Sequence, residues 1–137
     1  MRRWLTIIAC LALAAPAVAQ DWRAPPEFQE WRMAPEYDVS LTSFEIRPHV
    51  IRLKADEAVR LHFVNNSGQV HRFVAPAFFR NAQLRDRDRR LVHGGSIRLA
   101  PYSDETIAFI PKAGRYEVTG DNIFRRVLGM TAMIVVQ

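Results

Sequence analysis

The chain has 137 residues, 49% of them hydrophobic, and a formal charge of +5. That length suits one domain around one core. The positive charge is nearly all arginine, with Lys54 and Lys112 the only lysines, and a surplus this mild gives no argument for nucleic acid as a partner.

Residues 1–19 read MRRWLTIIACLALAAPAVA. Arg2 and Arg3 form a basic start, Trp4 to Ala15 a short apolar run, and Ala17-Val18-Ala19 a small-x-small cleavage signal. The expectation is a signal peptide over 1–19, cleaved after Ala19, and a periplasmic mature protein. The apolar run is too short to span a membrane, and no later segment is a candidate. Ile7-Ile8-Ala9-Cys10 leaves lipidation at Cys10 open as an alternative. Cleavage leaves 118 residues and takes Arg2 and Arg3 away, so the formal charge falls from +5 to +3. It also removes Cys10, the only cysteine. A disulfide framework and a thiolate metal site are thereby excluded from the mature chain.

Residues 20–36 read as an N-terminal arm. Pro25-Pro26-Glu27 is a helix start, with proline tolerated in the first turn and an acid at the positive end. Phe28 and Trp31 would share one face of that turn, and Pro35 stops it. The reading favours aromatics packed on the domain edge.

From residue 37 the period becomes two. Val39 and Leu41, then Phe44 and Ile46, alternate with polar residues, and Val50-Ile51-Arg52-Leu53 follows Pro48. Val59, Leu61 and Phe63 alternate, as do Ile97 and Leu99, Ile107 and Phe109, Tyr116 and Val118, before the run Met133 to Val136. Turn clusters at 54–57, 65–68, 101–104 and 111–114 separate them. Many short strands with regular turns predict an all-β sandwich over 37–137. Pro76 to Leu84, with Phe78, Phe79 and Ala82, predicts one short helix between strands. The mixed run Arg85-Asp86-Arg87-Asp88-Arg89-Arg90 reads as a solvated loop tip.

Two stretches carry a family resemblance. Val59-Arg60-Leu61-His62-Phe63-Val64-Asn65, running on to His71-Arg72-Phe73-Val74-Ala75-Pro76-Ala77-Phe78-Phe79, is the first. Phe109-Ile110-Pro111-Lys112-Ala113-Gly114-Arg115-Tyr116, followed by Gly129-Met130, is the second. From about residue 44 to 137 the chain resembles the cupredoxins, the Greek-key β-sandwiches that carry blue copper, and most of all the small bacterial periplasmic ones of plastocyanin or azurin type. The resemblance implies that His71 stands where the first histidine ligand stands and Met130 where the methionine closes the ligand loop. It places the cysteine position at Gly120 and the second histidine at Arg125, or at Asn122. Blue copper needs a thiolate and two imidazoles in a plane, with a long bond to a thioether. Here His71 and Met130 remain as a vestigial pair, Gly120 has no side chain, and Arg125 is a fixed cation.

The bland readings stand beside these. His71 can be a rim histidine bonded to a neighbouring loop, and Met130 an apolar plug. His62 alternates with Leu61 and Phe63 and is expected to face solvent. His49, His62 and His93 show no metal-ligand spacing with one another. Ser67, Ser96, Ser103 and Thr119 lie in no nucleophile elbow, and Gly94-Gly95 reads as a turn, not a phosphate loop. The expected function is therefore non-enzymatic: a periplasmic binding or accessory module with no cofactor, copper being possible, and an unidentified periplasmic protein as partner. Arg125, Arg126 and Phe124, flanked by further apolar residues, have the composition of a docking surface. One alternative is a weak Cu(I) carrier using His71 and Met130, completed by Met33, Met133 or a partner. Another is a redox site recruiting Asp121 or Asn122 with His71.

Overall fold

A computed structural model describes residues 26–120 and 130–137 of the protein. The proline-led helix of the arm forms as α1 (Pro26–Met33). Trp31 is half-buried on it, while the Phe28 side chain lies outside the described ones. The strands follow in the predicted order: β1 (Glu36–Leu41), β2 (Ile46–Arg47), β3 (Val50–Leu53), β4 (Val59–Asn65) and β5 (His71–Val74). The predicted short helix forms as α2 (Pro76–Asn81), shorter than the expected 76–84, since the chain turns extended at Ala82 and Gln83–Leu84 pair with the late strand at 109–110 instead. Then come β6 (Gln83–Leu84), a 3-10 helix (Asp86–Leu91), β7 (Val92–His93), β8 (Ser96–Leu99), β9 (Asp104–Ile110), β10 (Gly114–Thr119) and β11 (Thr131–Val136).

The strands build two sheets, in the orders β2-β1-β4-β9-β6 and β3-β11-β10-β5-β8-β7. The sandwich closes because alternation supplies each sheet with one apolar face. In β4 the buried residues are Val59, Leu61, Phe63 and Asn65, with Arg60, His62 and Val64 on the other side. Phe63, Phe73, Ile107, Phe109, Val118 and Ile134 meet between the sheets with no exposed surface. The pairing of β1 with β4 and of β3 with β11 is parallel. β4 follows β1 by some two dozen residues, whereas β3 binds the last strand of the chain, β11.

Phe78 anchors α2 by edge contacts to Phe79, Phe109 and Tyr116, at centroid distances of 5.1 to 5.4 Å. Gly95 lets the helix start close to the β7–β8 turn. Its φ is +71°, and a Cβ there would lie 2.4 Å from Pro76 Cα. Only glycine tolerates both conditions.

Two readings need correcting. The charge run is solvated at Asp86, Arg87, Arg89 and Arg90, but it folds as a 3-10 helix that turns Asp88 inward. Asp88 is buried, and its Oδ2 accepts from Arg85 Nε at 2.8 Å and from the Ala108 backbone N–H at 2.9 Å. A carboxylate with a guanidinium and a main-chain donor is satisfied enough to leave water. Phe44, read as an inward strand residue, is 64% exposed and lies between β1 and β2, where a turn breaks the alternation.

Candidate functional site

Strand register brings the singled-out residues to one end of the six-stranded sheet. Val74 pairs with Thr119, and Thr119 with Thr131. One step further sets Phe73 beside Gly120 and Gly120 beside Met130, and the Gly120 N–H donates to the Met130 carbonyl at 2.9 Å. Phe73, Gly120 and Met130 are all buried and face the space between the sheets. His71 lies two residues before Phe73, on the same inward face, with no exposed surface.

His71 is thus interior, not on the rim as one reading had it. Its ring does bond a neighbouring loop. Ser67 Oγ lies 2.7 Å from His71 Nε2. The serine is itself fixed by Asn65, whose Oδ1 accepts from the Ser67 N–H and is 3.0 Å from its Oγ. The amide of Asn65 donates to the carbonyls of Gln69 at 2.7 Å and Ala100 at 2.8 Å. A serine hydroxyl has one proton. Donated to Asn65 Oδ1, it leaves Oγ as the acceptor of a proton on His71 Nε2. The network pins a buried imidazole through one ring nitrogen. In the sequence Asn65 stands in a turn cluster and in the stretch that carries the family resemblance, with no bond to Ser67 or His71 assigned to it. The polar run Asn65-Asn66-Ser67 after an alternating strand was the available signal for its role.

Asp121, Asn122, Phe124, Arg125 and Arg126 lie outside the described residues. Met133 is on β11 and half-buried, and Met33 is exposed on α1. The copper-resembling end therefore holds one imidazole and one thioether among the described residues, with a glycine between the strands that carry them.

A second group stands on the outer face of the five-stranded sheet. His62 faces outward as expected but is not solitary. Its Nδ1 lies 2.9 Å from Asp38 Oδ1 on β1, its register partner, and its Nε2 lies 3.1 Å from Asp104 Oδ2 on β9. Hydrogen bonds to Asp38 and then Asp104 raise the imidazole pKa above its ordinary value. Glu36 projects from the same side of β1, and one ligand atom each from Glu36, Asp38 and His62 lie within 4.8 Å of one another. The absence of ligand spacing in the sequence was misleading here. The acids sit 24 and 42 residues away along the chain, and only the sheet brings them to the ring.

Among solved structures the chain is similar to the auracyanins. Auracyanin B matches at 18% identity over 76% of this chain and 89% of its own, with a TM-score of 0.53. Auracyanin A, a "blue" copper protein from Chloroflexus aurantiacus, matches at 14% over 76% and 100%, with a TM-score of 0.53. The dithionite-reduced auracyanin of Roseiflexus castenholzii matches at 14% over 76% and 97%, with a TM-score of 0.55. The protein has a cupredoxin-like β-sandwich fold. No protein-family model matches the sequence, and no curated protein matches it significantly.

Proposed function

We propose that the protein is a secreted, periplasmic binding or accessory module on this scaffold, with an incomplete blue-copper site and no electron-carrier or catalytic role. The row Phe73, Gly120, Met130 carries the reading. The position that the resemblance assigns to the cysteine is a glycine, and the sole cysteine of the chain is Cys10, in the expected leader. Without a thiolate the charge-transfer and soft-ligand chemistry of blue copper has no donor. The donors that are present fit only part of such a site: an imidazole at His71 and a thioether at Met130. Copper loses its ligand set, while the buried Met130 side chain retains a packing use. The Ser67 hydroxyl, buried within hydrogen-bond reach of Asn65 and His71, supports a positioning use over a nucleophilic one.

Docking falls to the loop between Gly120 and Met130. Arg125 and Arg126 beside Phe124 form the surface in this proposal, for a partner bearing carboxylates. Changing both arginines to alanine should leave the melting curve almost unchanged and sharply weaken recovery of periplasmic partners. The wild-type interaction should weaken as salt rises. Equal recovery by the double variant at the same salt contradicts this surface.

One observation favours a second reading. His71 and Met130 are both buried at one end of the sandwich, and imidazole with thioether suits Cu(I). A Cu(I) carrier binds the reduced metal without colour and loses it in both His71→Ala and Met130→Ala. A redox site drawing on Asp121 or Asn122 would instead show a visible band with Cu(II).

A further inference from the structure

We propose that the outer face of the five-stranded sheet holds a site for a borderline divalent cation of the zinc type, with His62 Nδ1 and the carboxylates of Asp38 and Glu36 as its ligands. The proposal is independent of the His71 end. His62 lies on the other sheet and faces away from the core, with Leu61 and Phe63 of the same strand turned inward.

Three strands converge on this face. Asp38 is the register partner of His62 in the parallel β1–β4 pair. Glu36, two residues earlier on β1, falls on the same side by the two-residue period of a strand. Its Oε2 is held 3.3 Å from Arg60 Nη2, leaving its other oxygen to turn to a metal. The 2.9 Å between His62 Nδ1 and Asp38 Oδ1 is a hydrogen-bond distance; two ligands about 2.0–2.2 Å from a tetrahedral zinc ion stand roughly 3.3–3.6 Å apart, so the pair opens by about half an ångström to admit the ion. The ion takes the place of the proton now shared there. Zinc accepts this mixture of imidazole nitrogen and carboxylate oxygen, with water completing an open position.

Asp104 supplies the outer partner. Metal-bound histidines donate their second ring N–H to a carboxylate, which fixes the tautomer and ring plane. His62 Nε2 is so placed, 3.1 Å from Asp104 Oδ2. That leaves Nδ1 with its lone pair toward Asp38 and Glu36. The charges also match. Glu36, Asp38 and Asp104 bring three negative charges and Arg60 one positive charge, and a neutral His62 leaves two negative charges for a divalent ion. All the groups stand on β1, β4 and β9, three adjacent strands with β4 in the middle. Strand-borne ligands hold their geometry better than loop-borne ones.

The mature protein, stripped with chelator, should be titrated with zinc chloride by calorimetry and followed through the histidine ring resonances. One ion per chain should bind, with the His62 ring resonances moving most. His62→Gln and Asp38→Asn should each abolish the heat while folding normally by circular dichroism. Asp104→Asn should weaken binding about 10- to 100-fold, as loss of an outer partner does. His71→Ala should bind as wild type does. No binding at millimolar zinc, unchanged binding in His62→Gln, or binding lost in His71→Ala but kept in His62→Gln overturns the proposal. No binding, or unchanged binding in His62→Gln, leaves the docking reading of the other end untouched, whereas loss in His71→Ala alone would move the metal to that end.

Discussion

At Met130 the side chain and the backbone have different uses. The carbonyl accepts from Gly120, and the thioether is fully buried in the core. Truncation leaves a cavity in a packed interior. Met130→Ala should cost about 2–5 kcal/mol in a urea melt, the range for large-to-small core changes. A change near zero would mean that the site collapses freely or that the side chain serves a ligand instead of the core. His62 gives a pH test. Its pKa is raised above the ordinary value of 6.5 by bonds to Asp38 and Asp104. A group with a raised folded pKa adds stability that is full below the unfolded value and is lost as pH rises through the folded one. Metal-free wild type should therefore lose stability relative to His62→Gln as pH climbs from 6.5 through the raised value. Parallel pH profiles for the two proteins would show that the ring is not clamped by the two aspartates.

At the scale of elements, the 3-10 helix depends on one carboxylate. Asp88 ties Arg85 to the helix and the helix to β9 through the Ala108 N–H. Removing it leaves a half-buried cation and a buried main-chain donor without this partner. Asp88→Ala should cost about 3–5 kcal/mol, as breaking a buried pair does, and should loosen β6 against β9, seen as faster amide exchange at Ala108. A melt like that of wild type would contradict this account of the helix. The same element marks where sequence reading stopped. Alternation revealed β4, β8, β9 and β10, because a strand with one buried face prints a period of two in its residue types. Pro76 with Phe78 and Phe79 marked α2 in the same way. The burial of Asp88 was not legible, because its main-chain partner lies 20 residues on and charged runs ordinarily face water. The group around His62 was hidden for a like reason: its acids come from β1 and β9. At the other end, His71 and Met130 were legible through family resemblance, whereas the Asn65–Ser67 brace came only with the fold.

For the whole molecule, a sandwich of this kind separates the packing of its scaffold from the ligands set at one end of it. The apolar interior runs the length of both sheets, and ligand positions occupy only one end of it. Gly120, Phe73 and Met130 continue the packing of Val118, Ala132 and Ile134 along the same sheet face. No helix among the described residues is long and apolar enough to cross a membrane. Whether this chain works as a blue copper protein is thus a question about ligands, not about architecture, and a fold by itself does not answer it. The direct test is visible absorption of the purified mature protein after one equivalent of Cu(II). No intense visible band should develop, because no thiolate is available to donate charge to the metal. An intense blue or green one-to-one complex would contradict the account.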